Sequence, residues 1–183
     1  MRYAGFVVEI HEGREVDAGY VQLPHGAVYS IVLGNEMDRP CDAWITIDGK
    51  TVGGWRVPAR MNVNIERPVH DTGRFTFYQI GSHEAQLAAL ADNDSLGLVT
   101  VEFRPERKPN PTSRSNKQGL RSGGTGLTGH SEQEFVGVEA LRYDEHEIVI
   151  IHLRLLALPS DTPRPLTAAP SSTPIPPRLR GGW

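Results

Sequence analysis

The residues of this 183-residue chain best equipped for chemistry are seven histidines, one cysteine and a glycine-rich run. His11, His25, His70, His83, His130, His146 and His152 are scattered, no two lie three or four residues apart, and no second cysteine completes a zinc set. They read as solvated loop histidines. The densest polar cluster, Asp144-Glu145-His146-Glu147, falls at an expected turn and reads as a hairpin tip rather than a metal site. Cys41 with a histidine would be the minimum pair for nucleophilic catalysis, but a small thiol beside Pro40 at a strand entrance needs no catalytic explanation. Gly124-Thr125-Gly126-Leu127-Thr128-Gly129 has the spacing of a dinucleotide fingerprint. That motif works only between a strand and a helix whose amides meet the pyrophosphate, and here a proline-rich basic stretch precedes it. No catalytic residue, metal ligand or cofactor site is therefore assigned, and the expectation is a protein that is not an enzyme.

Trp44 and Trp55 are candidates of another kind. Placed across one hairpin, the two rings would form a face for stacking sugars; cross-strand aromatic packing is the simpler account.

The elements that would position these residues are strands. Tyr29, Ile31 and Leu33 share one parity, as do Ala43, Ile45 and Ile47, and successive strand side chains point to opposite faces, so each run has one core face. Asp48-Gly49 lies between Trp44–Ile47 and Val52–Val57, and a type I′ turn needs positive φ at both central residues, which predicts a hairpin. Pro58 closes that strand, and Val63 and Ile65 alternate with polar residues up to Pro68. Asp71-Thr72-Gly73 makes the next turn, after which Phe75 and Phe77 are expected as core rings of a fourth strand. Earlier in the chain, Tyr3–Ile10 and Tyr20–Leu23 read as strands separated by a polar loop through Glu12-Gly13-Arg14. Ser82 can cap one helix of at most two turns, ending before Asn93-Asp94. Val99–Phe103, Phe135–Tyr143 and Glu147–Leu156 supply further strands, the last with Val149, Ile151, Leu153 and Leu155 inward and His152 and Arg154 outward.

Between Arg104 and Arg121 six basic residues meet one acidic residue and no aromatic ring. Such a segment buries too little apolar surface to fold alone and offers no stacking platform, so nucleic acid is not expected as a partner. Beyond Pro159 the chain is rich in Pro, Ser and Thr, with Leu166, Ile175, Leu179 and Trp183 as apolar anchors for contacts between subunits. Over those 25 residues an extended tail reaches roughly 75–90 Å. The single cysteine excludes an internal disulfide, and neither a signal peptide nor a run of ~20 apolar residues able to span a bilayer is read.

The expected fold is all-β: an antiparallel, jelly-roll-like β-sandwich with one short helix and an extended irregular linker and tail. The main block spans 1–103, a basic and glycine-rich linker 104–132, C-terminal strands 133–158 complete the sandwich, and the proline-rich tail spans 159–183.

Ser30-Ile31-Val32-Leu33, Ile47-Asp48-Gly49-Lys50, Trp55-Arg56, Ile65-Glu66-Arg67-Pro68-Val69 and Arg74-Phe75-Thr76-Phe77-Tyr78, together with Gly123–Leu127 and Ile151–Leu155, carry a resemblance. The chain resembles a loosely defined group of small virus- and phage-encoded β-sandwich structural proteins. The resemblance implies a virion-associated capsid, decoration or filament subunit that assembles with copies of itself or other virion subunits, and it transfers no catalytic residue. A sandwich that binds carbohydrate or another host-surface ligand is the alternative, with Trp44 and Trp55 as its platform.

Overall fold

The computed structural model describes residues 1–90, 93–108 and 132–158. Among these residues ten strands and one helix follow in the order β1 (Arg2–Tyr3), β2 (Phe6–His11), β3 (Arg14–Asp17), β4 (Tyr20–Leu23), β5 (Ser30–Asn35), β6 (Cys41–Ile47), β7 (Lys50–Val57), β8 (Met61–Ile65), α1 (His83–Leu87), β9 (Leu98–Pro105) and β10 (Val149–Ala157). They form a four-stranded sheet, β1-β2-β5-β8, and a six-stranded sheet, β3-β4-β10-β9-β6-β7.

The inward faces of the two sheets make one core. Phe6 of β2 and Phe103 of β9 stack across the gap, ring centroids 4.5 Å apart, and both are fully buried. Around them lie Val8, Ile31, Leu33, Ala43, Ile45, Ile65, Val101 and Leu153, the alternate residues that strand periodicity puts on one face. Cys41 and Ile47 are buried in the same layer. The hairpin at Asp48-Gly49 has φ of 53° and 75°, the positive pair a type I′ turn requires, and the Asp48 carboxylate accepts the Gly97 amide at 2.7 Å. Ser82 caps α1 by accepting the Ala85 amide at 3.1 Å, and the helix ends after one and a half turns.

Several expectations need correction. The first strand is split: Ala4 and Gly5 adopt φ of 48° and 81°, folding β1 back onto β2 as a small hairpin. The polar loop after it is only Glu12-Gly13, because Arg14–Asp17 pairs with β4 as a fully exposed edge strand whose side chains carry no inward pattern to read. Among the described residues the strand pairs are antiparallel except at one place, where β10 runs parallel to β4. Antiparallel neighbours in sequence are joined by short turns, but β4 and β10 are far apart in the chain and meet because β10, the last strand, lies between β4 and β9 in the middle of the sheet.

The fourth strand, Phe75–Tyr78, is not a ladder strand. It makes one isolated bridge, Val28 to Thr76, and pairs with the segment before β5 through Tyr29 N–H to the Phe75 carbonyl at 2.9 Å and Phe77 N–H to the Ala27 carbonyl at 2.8 Å. Phe75 is buried and stacks on Tyr29, whereas Phe77 is only half-buried at the core margin. Phe135–Tyr143 is likewise no strand: it runs extended, with a single bridge from Tyr143 to Glu106. The glycine-rich run, most of the basic linker and the tail anchors Leu166, Ile175, Leu179 and Trp183 lie outside the described residues.

Candidate functional site

The six-stranded sheet presents its outer face through the even-numbered residues of β6, β9 and β10, and the strand register sorts them into rows. Arg56, Asp42 and Arg104 form one row; Gly54, Trp44, Glu102 and Ile150 the next; Thr51, Thr46, Thr100 and His152 the third. Rows lie about 7 Å apart along the strands and neighbours within a row about 4.8 Å apart.

Trp44 is the largest side chain in these rows, and 45% of it is exposed. Its seat is Gly54. A β-carbon added to Gly54 would lie 2.8, 2.9 and 3.0 Å from the indole atoms Cε3, Cδ2 and Cζ3. Three contiguous ring atoms equidistant from one point require that point to lie above the ring, not beside it, so the indole lies flat on the glycine. Any larger residue at position 54 would lift the ring. The far face of the indole points away from the sheet.

Trp55 is not its partner. It is buried, pairs with Ala43 on the core face and meets Phe135 edge-on at 6.0 Å. The cause is a bulge. Ile47 pairs with Lys50 and Thr46 with Thr51, but then Ile45 pairs with Gly53, so Val52 is an extra residue on β7. Continued without it, the register would set Trp55 opposite Asp42 on the outer face. One inserted residue turns every later side chain over. A two-tryptophan platform is therefore excluded, and the buried Trp55 Nε1–H has no hydrogen-bond partner among the described residues.

Residues 132–143 run as an extended strap from the edge of the sandwich onto this face, residues 144–147 turn the chain back toward β10, and arginines hold both parts. Arg67 donates to the Gln133 carbonyl and lies 4.5 Å over the Phe135 ring. Gln133 also bonds the exposed edge of β8, donating to the Asn64 carbonyl at 2.8 Å and accepting the Glu66 amide at 3.4 Å, which caps an edge otherwise open to a further strand. Arg56 donates to the Glu139 carbonyl at 2.7 Å while gripping Asp42 through two bonds of 2.6 and 3.0 Å. Asp42, nearly buried, also accepts the Tyr143 hydroxyl at 2.8 Å. At the far end the buried Arg39 pairs with Glu147 and with Asp144 at 3.5 Å, and Lys108 reaches Glu147 at 2.8 Å.

Charges follow from this packing. Burial raises the Tyr143 hydroxyl above the ordinary phenol range, and its bond to the Asp42 carboxylate adds to the effect. The hydrogen bond to Asp42 holds Arg56 in its charged form. Burial pushes the Cys41 thiol up to about 12, with Asp42 adding, so at neutral pH it is a protonated core residue and not a nucleophile.

Among the described residues no three His, Cys, Asp or Glu side chains gather as metal ligands, and Asp144 and Glu147 answer Arg39 instead. A polar cleft of about 490 Å³ opens near His11, Ser30, Asn64 and Arg74, where Arg74 faces Glu66 at 3.6 Å. The sequence singled out Trp44 and the outward His152 but missed Gly54, Glu102 and Thr100. Only the register brings those together. No helix among the described residues is long and apolar enough to cross a membrane. No family model, curated protein or solved structure matches the chain.

Proposed function

We propose that this protein is a non-enzymatic structural subunit that builds an assembly, in the first instance a virion capsid, decoration layer or filament, with extended segments joining one copy to the next. The observation that supports this reading is the strap. Residues 132–148 lie on the sandwich with almost no ladder pairing, held instead by Arg67, Arg56 and Arg39 at three points. A surface that accepts an extended chain of its own in this way suits one that accepts an extended chain from a neighbour.

In the proposal the partners are copies of this chain or other subunits of the same particle. Leu166, Ile175, Leu179 and Trp183 supply the apolar anchors of the joining segment. Size-exclusion chromatography with light scattering, followed by negative-stain electron microscopy, tests it. Regular particles or fibres are expected from the full chain, and a chain ending at Leu158 should stay folded but assemble poorly. A monodisperse monomer at high concentration, unchanged by the truncation, overturns the reading.

A further inference from the structure

We infer that the outer face of the six-stranded sheet around Trp44 binds a neutral glycan, with one pyranose ring stacked on the indole. The inference goes beyond the assembly reading and does not depend on it.

The apolar part of the site fits one sugar ring. The indole lies flat against Gly54 and turns its other face outward, and a pyranose chair presents a patch of polarised C–H groups to the electron-rich face of an aromatic ring. Ile150, 50% exposed, lies two strands away in the same row, about 10 Å across the sheet, with Glu102 between them. A continuous protein-docking patch would not place a carboxylate at its centre. For a short oligosaccharide the alternation is apt: one ring on Trp44, the next over Glu102 and Ile150.

Polar groups stand where the sugar hydroxyls would fall. Glu102 offers carboxylate oxygens, one of them held by Arg104 Nε at 2.6 Å. In the neighbouring row Thr46 and Thr100 carry hydroxyls, and Thr100 Oγ1 is 3.0 Å from His152 Nδ1. Each such group both fixes a hydroxyl and leaves it exchangeable with water.

Charge selects a neutral ligand. In the indole's own row and the adjoining Asp42 row, Asp42 is matched by Arg56 and Glu102 by Arg104, and the adjoining row on the other side carries no carboxylate. An anionic or cationic sugar would have to break one of these pairs, whereas a neutral one adds its hydroxyls to them.

The test titrates the full chain with hexasaccharides of β-1,4-linked glucose, xylose, mannose and N-acetylglucosamine and of α-1,4-linked glucose, with decaproline as a peptide control. Calorimetry and tryptophan fluorescence read the binding, and light scattering on the same samples reads the mass. At least one sugar should bind, and Trp44→Ala should weaken it by about tenfold or more, as expected for loss of a central aromatic contact. Trp44→Phe should retain part of the affinity. Gly54→Ala, which keeps the indole but lifts it from its seat, should weaken binding with circular dichroism and melting preserved. The inference is overturned if no sugar binds at millimolar concentration, if folded Trp44→Ala binds as well as the parent, or if decaproline binds in their place. It is also overturned if Trp44→Ala changes only the mass, which would make the face an interface between copies.

Discussion

Two ways of holding a chain in place meet at Asp42. On the core side of that residue's strand, β6 is flanked by β7 and β9, so its backbone is bonded along both edges while Cys41, Ala43 and Ile45 disappear into a layer of apolar side chains. On the outer side Asp42 helps to hold the strap, which has one bridge of its own and owes the rest of its position to side chains: Tyr143 on Asp42, Glu139 on Arg56 of β7, Phe135 under Arg67 beyond β8. The ladder region is cooperative, because removing one residue disturbs neighbours on both sides. The strap is a series of local clasps, and such regions open at a smaller free energy than the core they lie on.

The largest effect should come from the ladder side. Phe103→Ala removes the ring stacked on Phe6 and should cost about 3–5 kcal/mol in denaturant unfolding. Phe77→Ala, on a half-buried ring at the margin, should cost clearly less. If the two were equal, the division between core and margin drawn here would fail.

Alkaline pH tests the same burial through a proton. The Cys41 thiol titrates at about 12 in place of 9.0. Between those values the unfolded chain has released a proton that the folded chain keeps, so stability should fall as pH rises from about 9 to about 12. The loss attributable to this group is at most about 4 kcal/mol. Cys41→Ala should make the alkaline limb shallower; an unchanged limb would show that the thiol ionises freely in the fold.

Asp42→Ala sits on the boundary. It leaves the Arg56 guanidinium and the Tyr143 hydroxyl without their shared acceptor, and about 1.5–3 kcal/mol should be lost. Ultraviolet titration should at the same time show Tyr143 ionising at lower pH, since one cause of its raised value is gone. A loss of stability with no change in the tyrosine titration would remove Tyr143 from the clasp.

The smallest global effect belongs to the strap. Phe135→Ala should cost about 1 kcal/mol, since the ring is only half-buried. Hydrogen exchange should quicken at residues 132–148 and stay slow in β9 and β10. Faster exchange throughout would instead make the strap part of the cooperative core.

The strands whose inward residues alternate were legible because a sheet with one buried face must alternate: β6, β9 and β10 follow their sequence parity, whereas β5 sends Ile31 and Leu33 into the core as expected but is buried on both faces. The Asp48-Gly49 hairpin and the Ser82 cap were legible because each is set by a few adjacent residues with special backbone or hydrogen-bonding needs. β3 was not, since an exposed edge strand has no apolar face to show. Phe135–Tyr143 misled for the opposite reason: Phe135 and Tyr143 do find burial, but against arginines and a carboxylate rather than a paired strand.

The Trp44 face marks the limit most sharply. Its sequence contains the tryptophan, the two glycines across the turn and the carboxylate of β9, yet not which of them meet. The turn by itself would have set Trp55 opposite Asp42, diagonal to Trp44, on the outer face. Val52 is added to β7 where its carbonyl accepts the Val69 amide at 2.8 Å and Gly53 takes φ of 144°, a contact with a residue 17 positions later in the chain. Side-chain types and local turns are properties of neighbouring residues and can be read along the chain. The face on which Trp55 lies is set by a one-residue shift that a distant segment stabilises, and only the assembled tertiary structure decides it.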